Sequence, residues 1–153
     1  NKMITTPFTH RNLPGLLLQA REAVMGHFRP GLRGQGLTDQ QWRVLRCLSA
    51  QGDMDTGSIA AATQLLGPSL TGVLTRMERG GLISRWRDAA DARRTVVQAT
   101  AQGLARVGEL SSAIETHYAA IEATLGKDRL VQLYALLDAL IAMEQSMPAE
   151  ATA

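Results

Sequence analysis

"GPSLTGVLTRMERGGLI", residues 67–83, decides how the rest of the chain is read. Leu70, Val73, Leu74 and Met77 recur at helical spacing and form one apolar stripe. The spacing predicts a helix that Gly67 and Pro68 open and Gly80 and Gly81 close. Opposite the stripe stand Ser69, Thr71, Gly72, Thr75, Arg76 and Arg79. A glycine inside a helix costs about 1 kcal/mol relative to alanine, so Gly72 asks for a reason. One reason is a low outer surface that lets the helix backbone lie close to another large molecule. The other is packing of Gly72 against a neighbouring helix. The apolar stripe points the other way, which favours the first.

Working outward, "DTGSIAAAT" (55–63) reads as a short helix and "QLLG" (64–67) as the connection that follows it. Two short helices joined by a few residues make a helix-turn-helix. Upstream, "LTDQQW" (37–42) is a helix start: Thr38 caps, Gln41 closes a capping box, and Leu37 staples onto Trp42. That helix runs through Leu45 and Leu48 to Gln51–Gly52. Downstream, "LISRW" (82–86) and "TVVQA" (95–99) are β-prone runs around a polar tip, "RDAADARR" (87–94). A hairpin after a helix-turn-helix is a wing.

The flanks are helical. Leu13, Leu16, Leu17, Ala20, Val24 and Phe28 form a stripe that Pro30 is expected to end, with "RGQG" (33–36) as a breaker. Thr100 is the expected N-cap of a helix through Leu104, Val107, Leu110 or Ser111, Ile114, Tyr118, Ile121 and Leu125. "GKD" (126–128) interrupts it, and Leu130, Leu133, Leu137 and Leu140 continue, widened by Leu136, Ile141 and Met143. The expected fold is mainly α with a small β-hairpin wing. Residues 37–100 form a winged helix-turn-helix lobe, residues 13–36 and 101–147 a helical dimerisation region, and residues 1–12 a flexible N-terminal arm. Helices apolar on more than one flank suit an intertwined homodimer; covering one monomeric core is the alternative.

Composition narrows the function. With 45% hydrophobic residues the chain can build a core, and no apolar run reaches the roughly 18 to 20 residues that span a bilayer. Cys47 is the single cysteine, which excludes an internal disulfide and fits a cytoplasmic location. Residues 1–100 carry a net +6 and residues 101–153 a net −4, and fourteen of the sixteen basic residues are arginine. Such asymmetry points to a polyanion-facing part. Cys47, among Val44, Leu45 and Leu48, reads as a buried, inert thiol. His10, His27 and His117 are far apart, and no nucleophile–base motif or phosphate-cradling glycine loop is present. No enzyme activity, metal or cofactor is expected.

A winged helix-turn-helix lays its second helix in the major groove and its hairpin tip near the minor groove. The DNA-facing residues on this reading are Ser69, Thr71, Gly72, Thr75, Arg76 and Arg79 on the helix, and Arg87, Arg93 and Arg94 on the wing. Hydroxyls would donate to phosphate oxygens, and the helix start at 67–69 would offer free N–H groups.

The run "DARRTVVQAT" (91–100) resembles the wing motif of the MarR family of regulators. Asp91, Arg93, Val97 and Thr100 match, while Ala99 stands where the family usually has leucine. "LLQAREAVMGHFRP", "LTDQQWRVLRCL" and "PSLTGVLTRMERGGL" are similar to the branch that represses homoprotocatechuate (4-hydroxyphenylacetate) degradation operons. The resemblance covers residues 13–145. It implies a homodimer on a pseudo-palindromic operator of double-stranded DNA, released by a small aromatic carboxylate effector. It also implies that Asp91 orients the wing by pairing with an arginine such as Arg76, while Arg93 reaches the minor groove. A phenolic carboxylate needs a guanidinium and an apolar slot, and the candidates are Arg21, Trp42, Arg43 and Arg46. Alternatives are an ion pair of Arg21 with Glu22, Asp39 or an acid of the partner chain, and core packing of Trp42. At the level of function, the alternatives are a stress or antibiotic-response regulator with another effector and a helical interaction dimer that does not bind DNA.

Overall fold

The computed structural model describes residues 7–146, the last two as backbone only. The first six residues of the expected arm and position 147 of the expected helical region lie outside the described residues. Pro7 to Asn12 are exposed and belong to no helix or strand. The elements that follow are α1 (Leu13–Gly34), α2 (Asp39–Gln51), β1 (Met54–Asp55), α3 (Thr56–Thr63), α4 (Gly67–Arg79), β2 (Ile83–Arg87), β3 (Thr95–Ala99), α5 (Ala101–Leu125) and α6 (Lys127–Ser146). The chain divides into two compact units, one up to Ala113 and one from Ile114 onward.

The first unit holds the core expected around the helix-turn-helix. Val44 and Leu45 of α2, Ile59 of α3, the stripe of α4, and Ile83 and Val97 of the sheet are at most 4% exposed. Burying each such side chain stabilises the fold by about 1.5–3 kcal/mol, which fixes the inner face of α4 and so aims its outer face. Local chemistry sets the helix starts. Thr38 and Gln41 exchange both capping bonds, each at 3.1 Å. Asp55 caps α3 by accepting from the Ser58 N–H at 2.8 Å.

Two expectations are corrected. Pro30 does not end α1, which continues to Gly34. Proline inside a helix removes one N–H and costs about 3 kcal/mol. Phe28 and Leu32, on either side of it, are 7% and 1% exposed, and their burial offsets that loss. The wing is also more than a hairpin. Its strands β2 and β3 are antiparallel with Arg85 opposite Val97, and β1 adds a third strand with Met54 opposite Val97. The sheet order is β1-β3-β2.

The passage from wing to α5 is tightly fixed. The Thr100 hydroxyl accepts from the Gly103 N–H at 3.1 Å and donates to the Gly81 carbonyl at 2.6 Å. The Thr100 N–H donates to the Leu82 carbonyl at 3.0 Å. A Cβ on Gly103 would sit 2.2 Å from that same carbonyl oxygen. Of the two residues weighed for the α5 stripe, Leu110 is buried and Ser111 exposed.

In the second unit, Gly126 with φ of +91° separates α5 from α6. Val131, Leu136, Ile141 and Met143 of α6 are 54–65% exposed. A helix showing this much apolar surface to water calls for cover. Among the described residues, no helix is long and apolar enough to cross a membrane.

Candidate nucleic-acid interface

The outer face of α4 is low, as its sequence requires. Ser69, Thr71, Arg76 and Arg79 are exposed, and Gly72 and Thr75 half-buried. The Arg76 guanidinium folds back over Gly72, 3.3 Å from where a Cβ would stand. Neither Arg76 nor Arg79 has an ion-pair partner among the described residues. At the start of the helix, Leu66 occupies the cap position and provides no side-chain bond. The N–H groups of Gly67 and Ser69 therefore form an uncapped positive end, suited to an anion.

The threonines differ from expectation. Thr71 donates its hydroxyl to the Gly67 carbonyl at 3.0 Å, and Thr75 to the Thr71 carbonyl at 2.8 Å. Their protons are spent inside the helix, the usual outcome for a threonine facing the carbonyl four residues back. They present methyls and oxygen lone pairs outward, and leave Ser69 as the hydroxyl free to donate to a phosphate.

The wing tip is internally bonded. Arg94 spans Asp55 at 3.2 Å and Asp88 at 3.6 Å, and Arg87 donates to the Ala92 carbonyl at 2.7 Å. Arg93 is the most exposed of the three, with a side chain 96% exposed. Asp91 does not reach Arg76. Its carboxylate accepts the Arg93 N–H at 3.1 Å and lies 3.6 Å from the Arg93 Nε. A carboxylate two residues before an N–H closes a local turn more readily than it reaches a distant arginine. The bonds of Asp91 stay within the wing tip.

Asp55 was not singled out from the sequence, although an acid three residues before Ser58 at a helix start was a readable signal. Its carboxyl is held below its ordinary value chiefly by the Ser58 N–H and hydroxyl, then by Arg94, against the opposing effect of burial. Glu78 is likewise lowered by Arg85, which donates to it at 3.0 Å from the neighbouring strand.

The four effector candidates separate into two pairs. Arg21 and Arg43 line a cleft of about 480 Å³ between α1 and the start of α2. Trp42 and Arg46 are not on its walls. Arg21 pairs with Glu22 at 3.2 Å. Arg29, which the sequence reading passed over, holds Glu22 at 2.9 Å and Asp39 at 2.8 Å. Those bonds hold the Arg29 guanidinium firmly protonated, and Arg29 in turn lowers Glu22. Arg43 donates to the Thr63 carbonyl at 2.8 Å, while its Nε is buried without a partner. Burial first, and Arg21 second, depress its proton affinity, with Asp39 acting the other way. On the other pair, Trp42 is half-buried and Arg46 exposed, one helical turn apart on α2.

Cys47 is half-buried, 3.3 Å from the Met54 sulfur, and burial pushes its thiol up. Among the described residues no three His, Cys, Asp or Glu side chains converge to hold a metal ion.

Comparison with known proteins gives a consistent picture. The MarR family model matches residues 37–95. The homoprotocatechuate degradative operon repressor of Escherichia coli is 42% identical over 137 residues, covering 90% of this chain and 93% of that protein. Among solved structures, NadR in complex with 4-hydroxyphenylacetate superposes with a TM-score of 0.83 at 39% identity, over 90% of this chain and 98% of that one. The repressor CouR bound to a 23-mer DNA duplex superposes with a TM-score of 0.74 at 26% identity, over 84% and 91% of the two chains.

Proposed function

The chain belongs to the MarR family, and on that premise we propose that it is a dimeric, DNA-binding repressor of an aromatic-acid catabolic operon, released by a phenolic carboxylate. The observation that carries the reading is the outer face of α4, stripped to small side chains and unpaired arginines above an uncapped helix start. Ser69, Thr71, Gly72, Thr75, Arg76 and Arg79 then lie in the major groove, with Arg93 in the adjacent minor groove. Residues 37–100 act as the DNA-binding lobe, and the helices within 13–36 and 101–147 as the dimerisation region. The exposed apolar face of α6 supports the dimer. Two recognition helices meet half-sites one helical turn, about 34–36 Å, apart. Such a regulator works where the chromosome is, in the cytoplasm.

The effector reading draws on the repressor and on the 4-hydroxyphenylacetate complex of NadR. On α2, Trp42 offers a ring face and Arg46 a guanidinium without an ion pair among the described residues, one turn away, which is what a phenyl ring with a carboxylate needs. The cleft at Arg21 and Arg43 suits the ring less well, because Leu37 is the apolar residue on walls otherwise polar or charged. Effector binding favours a dimer whose α4 helices are wrongly spaced for consecutive grooves. A 100-fold loss of operator affinity needs only about 2.7 kcal/mol of differential binding.

The test is a mobility-shift titration on the DNA upstream of the protein's own gene, with 4-hydroxyphenylacetate and 3,4-dihydroxyphenylacetate added to the complex. Release is expected with at least one of them, and Arg46→Ala is expected to weaken the response. Failure to shift the DNA rejects the DNA-binding reading. Unchanged affinity at saturation with both acids rejects the effector class.

A further inference from the structure

At the head of α4 stand two leucines in succession, one turned in and the other out. Leu65 is 5% exposed and Leu66 79%. The turn that carries them is pinned at several points. Gln64 takes a left-handed φ of +56° and donates its side-chain amide to the Ala61 carbonyl at 2.8 Å. The Thr63 hydroxyl donates to the Ile59 carbonyl at 2.7 Å, and Arg43 donates to the Thr63 carbonyl at 2.8 Å. Leu66 then offers its own carbonyl to the Leu70 N–H at 2.8 Å. Its backbone is fixed from both sides, and its side chain is held in the open. A lone exposed leucine is ordinary on a protein surface. This one is set apart by its position, the cap of α4, where it makes no side-chain bond. Asn12, Thr38, Asp55 and Thr100 each accept an N–H at the start of α1, α2, α3 and α5. Leucine is among the poorest residues for that role, whereas a serine or aspartate would stabilise the helix. The space beside it is clear, since a Cβ on Gly67 would meet nothing within 4 Å.

We propose that Leu66 reads sequence, by packing its side chain against the C5-methyl of a thymine in the major groove of each operator half-site. This contact rests on the DNA-binding reading above and adds a base-specific element to it. Helix-turn-helix proteins touch base edges with the N-terminal residues of their second helix, and Leu66 stands at that end. Of the four bases, thymine alone presents an apolar group in the major groove. Ser69, Arg76 and Arg79 can bond to phosphates or to polar base edges, whereas a leucine gains nothing there except from a methyl. The stability forgone at the cap of α4 thus has a counterpart in discrimination.

The experiment uses the DNA that the full chain protects upstream of its own gene. Thymidines are replaced one at a time by deoxyuridine, which removes the C5-methyl and leaves every hydrogen-bonding group in place. Affinities are read by fluorescence anisotropy at one fixed salt concentration. One uracil in each half-site is expected to weaken binding about four-fold, equivalent to about 0.8 kcal/mol for one buried carbon. The two together should weaken it about fifteen-fold. Leu66→Ala should bind the thymine and uracil forms alike at those positions. Leu66→Met, which keeps an apolar end, should retain the preference for thymine. Leu66→Ser should lose that preference while its thermal midpoint rises by about 3 °C, as α4 gains a cap. If no position is sensitive to uracil, or if Leu66→Ala remains as sensitive as the unaltered chain, the proposal is overturned and the DNA-binding reading stands. A Leu66→Ala chain that loses its dimeric mass places the leucine between subunits and equally overturns the proposal. Failure of the unaltered chain to bind the DNA at all rejects the DNA-binding reading, and the thymine contact with it.

Discussion

Along the outer face of α4, Ser69, Arg76 and Arg79 keep their polar ends clear of ion pairs, whereas at the wing Arg87 and Arg94 end on protein oxygens. The sequence makes both regions equally basic and polar, and their bonding makes them different. A free donor can meet DNA without first breaking a bond. A guanidinium already spanning two carboxylates brings to the DNA only what remains after one of them is surrendered. On this comparison α4 supplies binding, Arg94 supplies the shape of the wing, and Arg93, 96% exposed and paired only with Asp91 at 3.6 Å, is the wing-tip arginine with most reach.

The comparison breaks most readily at Gly72. Gly72→Leu is expected to lower operator affinity by 100-fold or more, about 2.7 kcal/mol, in a fluorescence anisotropy titration. Its thermal midpoint should not fall, because leucine is the better helix former and only the flexible end of Arg76 must move aside. A variant that still binds tightly would show that α4 does not lie flush on DNA. Arg93→Ala comes next, with about ten-fold weaker binding, a salt slope smaller by about one unit, and stability within about 0.5 kcal/mol. A smaller effect separates the wing from α4 on stability itself. Asp55→Ala removes the α3 cap and the partner of Arg94, and should cost about 1 kcal/mol in urea denaturation. Arg94→Ala should cost less than that, as half-exposed pairs do.

The Asp55 carboxyl also sets a pH dependence. Its folded value lies below the ordinary 3.8, so its contribution is complete above about pH 4 and is lost as pH falls through the folded value. Denaturation midpoints along an acid series should therefore drop less steeply in Asp55→Ala than in the unaltered chain. Identical acid limbs would show that Asp55 is not what holds the first helix of the motif to the wing.

What could be read from residues alone follows from how local each feature is. The capping box at Thr38 and Gln41, the stripe of α4 and the Thr100 cap are each written within eight residues or fewer, and all three are present. β1 is two residues long, too short for alternation to register, and exists only because β3 offers it an edge. Passage of α1 through Pro30 depends on burial of Phe28 and Leu32 by the rest of the fold, which spacing cannot reveal. The arginines divide likewise. That they are numerous was visible; which are occupied depends on Asp55, Asp88 and Glu22, brought near by folding. The separation of Trp42 and Arg46 from Arg21 and Arg43 is a matter of where the cleft opens.

Gly103 has a mechanical consequence. With no room for even a methyl group between its Cα and the Leu82 carbonyl, and with Thr100 bonded to both Gly81 and Leu82, α5 and the winged sheet meet without a hinge. The start of the long helix works as a crank welded to the wing, so a small rotation of its axis swings the tip rather than being absorbed at the joint. A single methyl at position 103 would loosen the weld, leaving the wing in place but deaf to its shaft.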